Sequence, residues 1–302
     1  MKKKILLTLS LWNCLFIFGQ QEAQTSMYFH NPLQFNSAYA GTRNSLNITG
    51  VTRAQWIGWA GAPTTQFFSI HAPIARRKIA LGGTIVQDRI GARSNFNATA
   101  HFAYHMRLNS DDLKLSFGAS AGIYQSSFNF SGLIATDYTD NNYLQSYSAL
   151  HSNFGAGLYL HNEKFYVGMS IPKLIHRPLQ DLAGNSFTQR HGYLMVGYVH
   201  HYNSVVAFKP SVLVKYTSNS SLVADFNFSA HFYKKFWVGV LYRANDALGF
   251  NASYQIKDIC SIGYAYDFPI NGKLVNQWGS HEFVLAFDLR TKNHSFLSPR
   301  YF

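Results

Sequence analysis

Phe96-Asn97-Ala98-Thr99-Ala100-His101-Phe102-Ala103-Tyr104-His105-Met106-Arg107-Leu108 decides the fold class. Phe96, Ala98, Ala100, Phe102, Tyr104, Met106 and Leu108 hold one phase of a two-residue repeat, and Asn97, Thr99, His101, Ala103, His105 and Arg107 the other. A strand sends successive side chains to opposite faces, so this is a ribbon with one apolar and one polar face. It is longer than the usual globular strand of about 5–6 residues. The alternation returns in Leu222–Phe232, where Asp225, Asn227, Ser229 and His231 hold the polar phase, and in Leu248–Lys257. In Phe208–Tyr216 the polar phase is Lys209, Ser211 and Lys215.

Such runs predict strands at 46–55, 64–75, 78–89, 95–108, 112–128, 149–161, 164–172, 190–202, 204–217, 220–233, 235–244, 247–257, 259–269 and 280–290. That is about fourteen, an even number, joined by tight turns such as Asn162-Glu163 and Asn203-Ser204 and by long connections such as 131–148 and 173–189. Short turns on one side and long loops on the other suit an all-β transmembrane antiparallel β-barrel. A secreted sandwich also alternates, but its outward faces would be rich in Lys and Glu. Here only 13% of 302 residues are charged and 16% are aromatic, and the polar phase is mostly Asn, Ser, Gly and His. An exposed apolar band of that width is tolerable only under lipid.

Residues 1–20 resemble a signal peptide, with Lys2-Lys3-Lys4 before the apolar run Ile5–Phe18. That run is shorter than the about 20 residues of a membrane helix, and no long apolar segment follows it. Cys14 leaves with the leader, so Cys260 forms no internal disulfide and reads as a small hydrophobe. The formal charge of +12 includes the three leader lysines. Export makes nucleic acid an improbable partner for the remaining basic residues. The division expected is a signal peptide at 1–20, a periplasmic or lumen-plugging segment at 21–45, a barrel at 46–290 and a tail at 291–302.

No catalytic motif is recognisable, so no enzyme and no cofactor are expected. His101 and His105 lie four apart on a strand, about 13 Å at about 3.3 Å per residue, too far for one small ion. Thr136–Asn142 offers Asp137, Asp140 and Asn141 as oxygen ligands without EF-hand spacing, and a solvated loop is the better reading. No metal site is expected. His101, His105, Arg107, Lys209, Lys215, Asp225 and Lys257 fall in the polar phase and are expected to line a mildly basic lumen.

Several stretches resemble one family in order along the chain: Asn31-Pro32-Leu33-Gln34-Phe35-Asn36-Ser37-Ala38-Tyr39-Ala40-Gly41, Arg53-Ala54-Gln55-Trp56-Ile57-Gly58, Gly61–Gln66 and Asp88-Arg89-Ile90-Gly91. Leu115–Gly118, Phe165–Pro172, Leu241-Tyr242-Arg243, Ile262–Asp267 and Gly279–Glu282 follow. Together they resemble the PorP/SprF outer-membrane proteins of the Bacteroidetes type IX secretion system. The resemblance implies a non-enzymatic barrel in the outer membrane of a Gram-negative, Bacteroidetes-like cell. Its implied partners are type IX components, the C-terminal domain of a large surface adhesin used in gliding, and outer-membrane lipid. An SprF-like member would anchor the adhesin, and a PorP-like member would stand beside the periplasmic ring; Gly19-Gln20 and Ser298–Phe302 tilt the reading to the first. On this reading partner contacts are expected at Asn31, Pro32, Asn36, Ala38, Tyr39, Ala40, Gly41, Arg53, Trp56 and Gly58. The alternative is a transport channel, either a porin or a hydrophobic-substrate transporter.

Overall fold

The computed structural model describes residues 23–74, 78–108, 113–129, 146–175, 178–179, 186–187, 190–217, 220–257, 259–270 and 278–289. The expected leader, the tail, the 136–142 run, Arg76 and Arg77 lie outside the described residues.

Fourteen antiparallel strands form one closed sheet among the described residues. They are β1 (Leu46–Ala54), β2 (Thr64–Ile74), β3 (Ile79–Ile90), β4 (Arg93–Arg107), β5 (Lys114–Phe128), β6 (Tyr147–His161) and β7 (Phe165–Ile171). Then come β8 (His191–Tyr198, resuming at His200–His201), β9 (Val206–Thr217), β10 (Ser220–Phe232), β11 (Phe236–Arg243), β12 (Ala247–Ile256), β13 (Cys260–Pro269) and β14 (Ser280–Leu289). Each strand pairs with its sequence neighbours, and β1 closes on β14 from Leu46↔Leu289 to Ala54↔His281. Closure matters because an open edge would leave unpaired amides in hydrocarbon.

The alternation sorts the two faces as the sequence pattern requires. On β4, Phe102, Tyr104 and Met106 are exposed, whereas His101, Ala103 and His105 are buried. This inside-out arrangement repeats around the sheet: Phe226, Phe228, Phe250 and Phe283 are exposed, while Asn227, Ser229, Asn251 and Glu282 are buried. The outward band is the lipid-facing surface of a membrane barrel. No helix among the described residues is long and apolar enough to cross a membrane.

Connections at one rim are short: 75–78, 108–113, 162–164, 202–205, 233–235 and 257–259. The longest ones, 129–146 and 172–190, stand at the other. In outer-membrane barrels the short turns face the periplasm and the long loops the exterior.

Residues 25–41 run through the space that the sheet encloses. They form three single turns of 3₁₀ helix, Tyr28–His30, Pro32–Gln34 and Ser37–Tyr39. Met27, Tyr28, Leu33, Ala38, Tyr39 and Ala40 are each at most 1% exposed. Hydrogen bonds reach strands on many sides: Ser69 Oγ donates to Asn31 Oδ1 at 2.8 Å, Asn36 Nδ2 to the Leu158 carbonyl at 2.8 Å, and Ser170 Oγ to the Phe35 carbonyl at 2.8 Å. Tyr28 and Ser211 hydroxyls share a bond of 3.0 Å. Packing adds an aromatic cluster in which Tyr39 meets Tyr159 edge-on at 5.6 Å and Tyr159 stacks on Tyr166 at 5.7 Å.

The strands make room for this segment by omitting side chains. A Cβ on inward-phase Gly118 would lie 2.1 Å from the Ala38 amide nitrogen, and one on Gly157 would lie 2.1 Å from Asn36 Oδ1. Outward Gly83 meets nothing nearer than 3.7 Å. We therefore expect Gly118→Leu to unseat the segment while Gly83→Ala leaves it in place. Residues 21–42 contain no Lys or Arg, so Arg43 is the first tryptic site of this stretch. Trypsin should accordingly release a fragment ending at Arg43 from folded Gly118→Leu and spare the parent and Gly83→Ala.

Candidate functional site

The polar phase of six strands converges on Thr25–Met27 near the long-loop rim. Register sets two direct oppositions, Arg53 on β1 against Glu282 on β14, and Asp225 on β10 against Arg243 on β11. Arg53 Nη1 donates to Glu282 at 3.0 Å and Nη2 to Asp267 on β13 at 2.7 Å. Arg243 bonds Asp225 at 3.1 Å and Asp267 at 3.4 Å, and Lys215 on β9 bonds Asp225 at 2.7 Å. Gly249 on the intervening β12 lets Arg243 and Asp267 meet, since a Cβ there would stand 2.6 Å from Asp267 Oδ1. Three cations and three carboxylates thus balance inside the barrel, and Arg53, Arg243, Asp225, Asp267 and Glu282 are all at most 2% exposed.

The N-terminal segment completes this network. The Ser26 and Met27 amides donate to the two Glu282 oxygens at 2.7 and 2.8 Å. Ser26 Oγ donates to Asp267 and accepts from Arg53 at 2.7 Å. The other end is held too: Arg43 Nε donates to the Tyr39 hydroxyl at 2.8 Å, and Nη1 lies 3.3 Å from Asp288, which also accepts from Asn47 at 2.6 Å. Burial alone would weaken the Arg43 charge, but Tyr39 and Asp288 hold its guanidinium above its ordinary value. Burial pushes the Tyr28 phenol well up, with Tyr166 adding to it, so Tyr28 remains a neutral hydroxyl.

The residues expected at a partner surface lie mostly inside the barrel. Asn31, Pro32, Asn36, Ala38, Tyr39, Ala40 and Gly41 are buried within the barrel, and Arg53 is spent on Glu282, Asp267 and Ser26. A docking protein reaches none of these while the segment is seated. Trp56, half-buried, and exposed Gly58 stand in the β1–β2 loop at the long-loop rim, both with positive φ, 46° and 95°.

Among the expected lumen residues, His101 shares a 2.9 Å bond with Thr84, and His105 a 2.7 Å bond with Ser116. Lys209 is buried with its Nζ 5.2 Å from the Phe29 ring and 5.6 Å from that of Trp237. Lys215 and Asp225 bond each other. Arg107 and Lys257 do not join them: both are exposed, one at the last residue of β4 and the other in the turn after β12 at φ 49°. Their phase points inward, but the strands end there. Arg243, Asp267 and Glu282 went unnamed as site residues, although each is a polar residue in an inward phase.

The sequence matches the family described as type IX secretion system membrane protein PorP/SprF over residues 17–287. The chain belongs to that family. This PorP/SprF-family protein is therefore an outer-membrane barrel of the type IX secretion system, associated with its components. Family and fold are those of a non-enzymatic barrel. No curated protein matches the chain. Among solved structures it is similar to the Ralstonia pickettii toluene transporter TbuX (13% identity, 88% of this chain, 94% of that one, TM-score 0.48). It is similar also to a deletion mutant of the monoaromatic hydrocarbon channel TodX (12%, 89%, 95%, 0.49) and to Omp33 of Acinetobacter baumannii (8%, 82%, 98%, 0.48). Likeness of this degree carries no argument about what passes through or binds to the PorP/SprF-family barrel.

Removing one member of a buried ion pair leaves its partner uncompensated, at about 3–5 kcal/mol. Glu282→Ala should lower the barrel's unfolding free energy in micelles by about that amount. Glu282→Gln, which keeps a carbonyl acceptor for one amide, should fall between Ala and the parent. Urea unfolding followed by tryptophan fluorescence checks the order.

Proposed function

We propose that this barrel is a closed anchor rather than a channel, with the C-terminal domain of a large surface adhesin as its partner on the type IX pathway. The observation that carries this reading is the N-terminal segment. It occupies the enclosed space, is hydrogen-bonded to strands on several sides, and ends in ion networks near both rims. A porin or hydrophobic-substrate transporter needs a continuous path through that space. In the anchor reading residues 25–43 act as a plug that keeps the outer membrane sealed and stiffens the barrel under load. The rim loop at 56–61, with Ile57 and Trp59 exposed, is the part of the expected docking region that a partner can reach.

Two measurements test the proposal. In planar bilayers the intact barrel should show no steady conductance, and deletion of residues 23–45 should open one. A large steady conductance from the intact protein overturns the anchor. Affinity isolation from native membranes should recover type IX components together with an adhesin C-terminal domain; recovery of lipid alone overturns the partner assignment.

A further inference from the structure

The short-turn rim carries a crown of cations. Lys78 adjoins Ile79, Arg107 Met106, Lys114 Leu115, Lys164 Phe165, Lys235 Phe236, and Lys257 Ile256. In each pair the apolar residue stands in the outward phase of its strand; Arg107 and Lys114 take the inward phase, and Lys78, Lys164, Lys235 and Lys257 are the turn residues next to the strand ends. The band that meets lipid is thus apolar up to this rim, while the positive charge encircles the aqueous mouth. Among the described residues of these turns Glu163 is the one carboxylate. The sequence of the same turns adds Arg76 and Arg77 against Asp111, Asp112 and Asp258, which leaves a clear excess of cations.

Local backbone preference does not favour the residues that this rim holds. The β10–β11 hairpin turns through Tyr233 and Lys234 at φ 53° and 55°, closed by the Lys235 amide donating to the Phe232 carbonyl at 2.9 Å. A two-residue turn with both central residues left-handed favours Asn-Gly. Among the described residues the turns of the opposite rim put Gly58, Gly61, Gly91, Gly279 and Asn245 at such positions, with Trp56 as the one bulky residue, whereas the turns here put Tyr233, 68% exposed, Lys234 and Lys257 there. Residues kept against conformational preference at a rim point to use of that rim.

We propose that the periplasmic mouth is a docking ring for an acidic protein face. The assignment deepens the anchor reading and rests on it for its setting, since the ring would tie the barrel to periplasmic machinery. Anionic lipid headgroups would also be drawn to cations, but the strand ends turn apolar residues to the bilayer, and Arg107 and Lys114 take the phase of the mouth.

The test uses the full barrel in zwitterionic detergent, with poly-L-glutamate as the probe and phosphatidylglycerol vesicles as the competing one. Poly-L-glutamate should bind the parent. Lys234→Glu/Lys235→Glu/Lys257→Glu should weaken that binding at least ten-fold, and Arg89→Glu/Arg190→Glu at the far rim should leave it unchanged. Raising salt should abolish it, because exposed charges are screened within about 3 Å at 1 M. Folding of each variant is checked by heat-modifiable mobility, and single Lys→Gln changes replace the triple if it does not fold. In cells, a photocrosslinker replacing Lys257 should capture a protein, and the capture should be lost with Lys234→Glu/Lys235→Glu. The proposal is overturned if the triple variant binds poly-L-glutamate as the parent does, if both rims contribute equally, or if only vesicle binding responds. Loss of secretion partners from affinity isolation with the crown's binding intact would instead count against the anchor reading alone.

Discussion

Every amide within a bilayer must find its partner inside the protein. That demand is met here by the pairing of β1 with β14, and the rest of the molecule follows from it. Once the sheet is closed, each strand has one face for lipid and one for the interior. With fourteen strands the interior is too wide for inward side chains alone to fill, since about eight strands already leave room only for side chains or one small ligand. Residues 25–41 fill part of it, and inward Gly118, Gly157 and Gly263 are bare where that chain passes. The bonding ladder thus explains both the lipid face and the need for the N-terminal segment.

Charges inside the barrel obey a stricter rule than charges at its rims. Arg53, Lys215 and Arg243 are matched one for one by Asp225, Asp267 and Glu282, and the Ser26 and Met27 amides take one Glu282 oxygen each. Such a network gains little over a well-packed apolar core but costs heavily when one member is lost. What it adds is position. A segment made only of apolar contacts could slide along a smooth wall, whereas two amides on one carboxylate fix a single register. The Arg43–Asp288 contact fixes the other end.

The barrel was legible because alternation is local: a reader needs only consecutive residues to see that Phe102 and His101 face opposite ways. The fourteen strands follow from that pattern, and the order of short and long connections gives their rims. The interior site was legible only in pieces. Arg53 stood in a motif and was read as a docking residue, because a motif says that a residue matters without saying which way it points. Asp267 and Glu282 are 15 residues apart in sequence but share Arg53, and only the β13–β14–β1 register brings them to it. For Arg107 and Lys257 the phase was right and the depth was not, because alternation fixes direction and says nothing about where a strand stops.

The same chemistry therefore has different consequences at different depths. A lysine at the Lys215 level is held by the buried Asp225, and its charge is cancelled within the molecule. A lysine at the Lys235 level is an exposed turn residue at the water boundary, where its charge projects beyond the barrel. A balanced network around Thr25–Met27 and a cationic excess at one mouth are then complementary. The interior network holds the N-terminal segment without drawing ions into the barrel, and the rim remains the place where long-range electrostatic attraction can act on a partner. A barrel that conducts ions selectively would be expected to put its excess charge along the path. Here the excess sits where the path would begin, in front of a chain segment that runs through it.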